Sequence, residues 1–107
     1  MYIQYRPVVI CGVGLLKLII SAKVAGKLAK KHNVTEDEIV ECFANRTAGF
    51  LLDEREDHKT EPPTRWFVAE TNRGRLLKVV FVPTNGIFIK TAYEANADEI
   101  RIYNARA

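Results

Sequence analysis

Lys23, Lys27, Lys30 and Lys31 recur through residues 21–33, and His32, one of two histidines in the chain, follows them at once. On a helix these four lysines fall within one arc of about 100°. His32 points to the opposite, apolar side with Val24, Ala25 and Leu28. Further along, Arg75, Lys78, Lys90 and Tyr93 sit inside or beside two apolar runs, "GRLLKVVFV" and "IFIKTAY". Lysine and arginine neutralise charge on phosphate oxygens. Histidine, or a lysine or tyrosine with a displaced pKa, moves protons. Metal-free cleavage of RNA asks for no more than this, because the substrate's own 2′-hydroxyl is the nucleophile. Lys31, His32, Lys78, Lys90 and Tyr93 are therefore the candidate catalytic groups. Lys23, Lys27, Lys30 and Arg75 are the candidate RNA-binding groups. Each also has a plainer reading. The helix lysines make a solvated face, His32 packs with a hydrogen bond, and each strand lysine either points outward or lines a site.

Other chemistries find little support. No G-x-S-x-G, G-x-x-x-x-G-K or H-E-x-x-H motif is present. Cys11 and Cys42 lie far apart, with neither zinc-ligand nor disulfide-framework spacing, and fit a reducing cytosol. Asp53, Glu54, Glu56 and Asp57 cluster within "DEREDHKTEPPTRWFV" (residues 53–68). Paired carboxylates can bind magnesium, but an acidic run ahead of Pro62-Pro63 reads first as a solvated loop. Arg55 and His58 of this loop are second-rank site candidates, since the loop could fold over the basic surface. No metal or other cofactor is expected.

At 107 residues, with 48% hydrophobic and 27% charged residues, the chain has the size and composition of one globular domain. The net charge of +3 is unevenly laid out. Residues 1–34 carry six bases and no acids, residues 35–61 nine acids and three bases, and residues 62–107 seven bases and four acids. Such a dipolar surface serves solubility, or offers a basic face to a polyanion. The apolar run Val8–Leu16 is far short of the ~20 residues needed to span a bilayer. Residues 1–15 read as an extension outside the core: an extra strand, a weak signal segment, or a stretch ahead of the true start. A strand or a mis-set start is preferred to export, and a cytoplasmic protein with no membrane partner is expected. Residues 16–107 form the single domain.

The elements that must position these groups follow from local pattern. "LKLII" (16–20) reads as a strand or the lead-in to a helix. Residues 21–33 read as a helix capped by Ser21 and ended by Asn33. A second helix over 34–45 has a capping box, Thr35 with Glu38, and a hydrophobic staple, Val34 with Ile39. Its acidic surface excludes a DNA-reading helix-turn-helix, because acids repel phosphate. "GFLL" (49–52), "RWFVAET" (65–71), "LLKVVFV" (76–82) and "IFIKTAY" (87–93) read as strands. "NRGR" turns the middle hairpin, with Gly74 supplying a positive φ. Both faces of these strands carry apolar residues, which suits strands covered on both sides. Residues 96–107 read as a helix from the capping-box pair Asn96 and Glu99, although "EIRIY" also alternates like a strand. The expected fold is α+β: an N-terminal helix pair packed on a three- to four-stranded antiparallel meander, with a short C-terminal helix.

"KHNVTEDEIVECF", "RWFVAET", "GRLLKVVFV" and "I-x-I-K-T-A-Y", in that order, resemble the BrnT-like toxins of the RelE-like superfamily. The resemblance spans roughly Leu16–Tyr103. It implies a RelE-like fold and a metal-independent endoribonuclease toxin of a type II toxin–antitoxin pair. The partners it implies are RNA and a cognate antitoxin protein, with a homodimer or a hetero-oligomer with the antitoxin both compatible. Lys31 and His32 match the Lys-His pair of that family, and Arg75 the basic residue opening the hairpin strand. The last strand departs from the pattern. "T-A-Y" stands where the family ends in "S-A-R", so Tyr93 or Lys90 would have to replace the arginine. A non-catalytic protein- or nucleic-acid-binding module on the same fold is the alternative. Chains resembling this one are also labelled ADP-ribosyl-dinitrogenase reductase hydrolases. Those hydrolases resemble a large all-helical fold with paired metal-binding acids, and this chain has neither the length nor the helices.

Overall fold

A computed structural model of the chain describes residues 3–10, 14–53, 63–84 and 86–107. The domain is α+β, with helices packed on a mixed sheet. Strands β1 (Ile3–Ile10) and β2 (Gly14–Ser21) lead into helix α1 (Ala22–Lys27), which runs on as a wide π turn over Leu28–His32. Helix α2 (Glu36–Asn45) and the two-residue strand β3 (Leu51–Leu52) follow. Strands β4 (Arg65–Glu70), β5 (Leu76–Val82) and β6 (Ile87–Glu94) form the antiparallel meander, and helix α3 (Ala97–Arg106) ends the chain.

The helix starts are set by side chains that supply acceptors to otherwise unpaired backbone N–H groups. The Ser21 hydroxyl accepts from the Val24 N–H at 3.2 Å. Thr35 and Glu38 close a reciprocal capping box on α2, and Asn96 and Glu99 do the same on α3. That second box decides the ambiguous C-terminal segment in favour of helix. Asn33 ends the first helix at φ 52°, the only positive φ of a non-glycine residue among the described residues. The Val34 N–H reaches back over the π turn to the Leu28 carbonyl at 3.0 Å.

The sheet is wider than the meander expected from sequence. Its strand order is β1-β2-β6-β5-β4-β3, with β2 parallel to β6 and β1 antiparallel to β2. Two local features admit β2. Leu18, Ile19 and Ile20 are all buried, as in a strand covered on both faces. Gly86, at φ 126°, gives the close approach: a Cβ there would stand 2.6 Å from the Lys17 carbonyl oxygen.

Cross-strand neighbours share a face of a sheet. Phe67, Val79 and Phe81 meet helix α2, where the Phe43 ring lies 4.7 Å from Phe67 and 5.6 Å from Phe81. Trp66, Lys78 and Tyr93 point to the other face, toward α3, where Tyr103 lies 6.0 Å from Trp66. The Tyr103 hydroxyl donates to the Gly49 carbonyl at 2.6 Å and ties α3 to the segment before β3. A register shift between Val80 and Phe81, paired with Thr91 and Ile89, leaves Lys90 as the extra residue of a bulge. Among the described residues, no helix is long and apolar enough to cross a membrane.

Candidate functional site

The two strand lysines have opposite fates. Lys90 is carried to the surface by the bulge and is exposed. Lys78 is buried at 8% exposure beneath α3. Its ammonium donates to Glu99 Oε2 at 2.9 Å and lies 4.5 Å from the centroid of the Trp66 ring. The Tyr93 hydroxyl, directly across the strand pair, donates to the same Glu99 oxygen at 2.9 Å. Glu99 Oε1 accepts the Asn96 N–H at 3.0 Å, so this carboxylate caps α3 and anchors it to the sheet together.

The electrostatics follow from these bonds. Burial works against the charged form of Glu99. Hydrogen bonds from the Asn96 N–H, Lys78 and Tyr93 outweigh it and hold the carboxyl below its ordinary value. Burial, then the bond to Glu99, pushes the Tyr93 phenol up against the opposing pull of Lys78. Tyr93 is thus a proton donor at neutral pH. A cleft of about 380 Å³ opens beside the cluster, lined by Leu52, Trp66, Lys78, Glu99 and Ile102 among others.

His32 joins the other end of this chain. It is the last residue of the π turn, half-buried, with its ring centroid 5.6 Å from that of Tyr93. Single π turns inside helices are frequent at functional sites. Lys23, Lys27, Lys30 and Lys31 are all exposed on the same helix and make no ion pair among the described residues. The protein therefore brings His32, Tyr93 and, through Glu99, Lys78 into one connected group, and Lys31, next to His32 in the chain, is exposed. Lys90 makes no hydrogen bond or ion pair among the described residues. Arg75 turns inward, where its guanidinium meets the carbonyls of His32 and Asn33 and the carboxylate of Glu38. Arg55 and His58 lie outside the described residues.

Glu99 is the member that the sequence reading missed as a site residue. Its capping role was legible, but its second oxygen is engaged by residues 21 and 6 positions away. Cys42 is no nucleophile. Burial first, then Glu38 and Glu41, push its thiol up to about 12. Among the described residues, no three His, Cys, Asp or Glu side chains group so as to hold a metal ion. Comparison with family models, with curated proteins and with solved structures found no match to this chain.

Proposed function

We propose that this protein is a metal-independent endoribonuclease, the toxin of a type II toxin–antitoxin pair on a RelE-like fold. The observation that carries this reading is the contact of His32 with Tyr93 at 5.6 Å, at the end of the lysine-bearing helix. An RNA backbone meets the exposed Lys23, Lys27, Lys30 and Lys31, which supply the salt-dependent attraction of a polyanion. His32 accepts the proton of the 2′-hydroxyl as the 2′-oxygen bonds to phosphorus. The bond from phosphorus to the 5′-oxygen breaks, and Tyr93, kept protonated by burial, gives its proton to that leaving oxygen. Lys31 and Lys90, which make no ion pair among the described residues, meet the charge growing on the phosphate. A 2′,3′-cyclic phosphate remains on one product. The partners on this reading are RNA and a cognate antitoxin.

A second reading, RNA or protein binding without cleavage, is favoured by one observation. Lys78 and the Tyr93 hydroxyl both donate to Glu99, which opposes a role for either at a phosphate. Induced expression separates the two. The ribonuclease reading expects growth arrest, cyclic-phosphate RNA ends, and relief by a neighbouring gene. His32→Ala should cut the cleavage rate by about 100-fold or more while leaving RNA binding in place. Unchanged growth with intact RNA, at expression levels where the protein retains RNA, supports binding alone.

A further inference from the structure

Arg75 was expected to touch RNA, and its surroundings argue for another role. A guanidinium carries five N–H donors in a fixed fork. Here Nη1 donates to the Asn33 carbonyl at 2.7 Å and to both Glu38 oxygens at 3.2 Å. Nη2 donates to the His32 carbonyl at 2.9 Å. Nε faces Glu94 Oε1 at 3.7 Å. All three nitrogens are engaged, and two carboxylates surround the single positive charge. A phosphate arriving there meets net negative charge and must displace charge-assisted bonds.

The base of the side chain is fixed as firmly as its tip. The Arg75 N–H donates to Thr71 Oγ1 at 3.1 Å, and the Thr71 N–H donates to the Arg75 carbonyl at 2.9 Å. Gly74, at φ 82°, lets the turn close. The hairpin thus aims Arg75 at the carbonyls of His32, the last residue of the π turn, and of its cap Asn33, which a helix leaves without intrahelical partners. His32 carries one of those carbonyls, and its ring faces Tyr93.

We infer that Arg75 is a positioning residue that sets the His32 ring against Tyr93 and does not bind RNA; its catalytic consequence rests on the ribonuclease reading above. Glu38 holds the far side of the guanidinium and is part of the same clamp.

The experiment compares Arg75→Ala and Arg75→Lys with the wild type and with the Lys27→Ala/Lys30→Ala double variant. In the RNA-free protein, nuclear Overhauser contacts between the His32 and Tyr93 rings are expected in the wild type and lost in both Arg75 variants. Affinity for a single-stranded RNA should stay within about twofold of wild type, with an unchanged salt slope. The lysine double variant should lose about 1.4 from that slope, at about 0.7 per phosphate contact. Turnover in the Arg75 variants should fall on the order of 100-fold with KM unchanged. Ring contacts retained in either Arg75 variant, or a salt slope lowered by about 0.7 in Arg75→Ala, would overturn the inference. If the wild type leaves RNA intact, the ribonuclease reading fails, and the ring contacts still decide what Arg75 does.

Discussion

Glu38 and Glu99 occupy the same position in two helices and finish differently. Each is the fourth residue of a capping box, and each takes the N-cap N–H at 3.0 Å on Oε1. Each then receives a cation from the β4–β5 hairpin or β5 itself, Arg75 for Glu38 and Lys78 for Glu99. The Arg75–Glu38 side chains remain 24% and 22% exposed, and the fork extends to backbone carbonyls. The Lys78–Glu99 side chains are 10% and 16% exposed, and Trp66 and Tyr93 close around the ammonium. A half-wet tie fixes a helix end, while a dry tie fastens a whole helix to the sheet. Burial decides which one the fold tolerates losing, because a desolvated charge left without its partner is costly.

The sharpest break is Lys78→Ala. It leaves the Glu99 carboxylate without its cation and should destabilise the domain by about 3 kcal/mol in chemical denaturation. Arg75→Ala should come next, at about 2 kcal/mol, because it removes charged hydrogen bonds from a partly wet site. A loss for Arg75→Ala as large as that for Lys78→Ala would erase the distinction between the two ties. Acid sharpens the same contrast. Burial opposes ionisation of both carboxyls, but the Thr35 N–H and Arg75 prevail at Glu38, and the Asn96 N–H, Lys78 and Tyr93 prevail at Glu99. Both are held below the ordinary value of 4.5. Their stabilisation is therefore full above pH 4.5 and is lost as the pH falls below it through the folded values. Denaturation midpoints between neutral pH and acid should drop less steeply in Glu99→Gln and in Glu38→Gln than in wild type. Glu38→Gln at neutral pH keeps the capping acceptor and should cost about 1 kcal/mol. Lys90→Ala, at the exposed bulge, should stay within about 0.5 kcal/mol.

What was legible in the sequence was what neighbouring residues settle between themselves. Thr35 with Glu38 and Asn96 with Glu99 are three residues apart, so both caps could be read directly. Gly74 and the alternation in Arg65–Glu70 and Leu76–Val82 gave the middle hairpin in the same way. The partners of each glutamate's second function were not legible, since Arg75 lies 37 residues from Glu38 and Lys78 lies 21 from Glu99. The placement of β2 parallel to β6 depends on Gly86 meeting Lys17, another distant pair. Lys78 and Lys90 look alike in sequence, each inside an apolar run. Only the bulge opposite Val80 and Phe81 sends one to solvent and leaves the other under α3. For the candidate site, His32 and Tyr93 were both named from residue type, and their approach came from the fold.

On the proposed ribonuclease reading, His32 and Tyr93 act on RNA held by the lysine helix. The most direct test of that reading is incubation of the purified protein with a labelled RNA in EDTA, followed by analysis of the product ends. Fragments ending in 2′,3′-cyclic phosphate are expected from the wild type, and their loss in His32→Ala and Tyr93→Phe. RNA that is bound yet stays intact, or cleavage that survives His32→Ala undiminished, would contradict that reading.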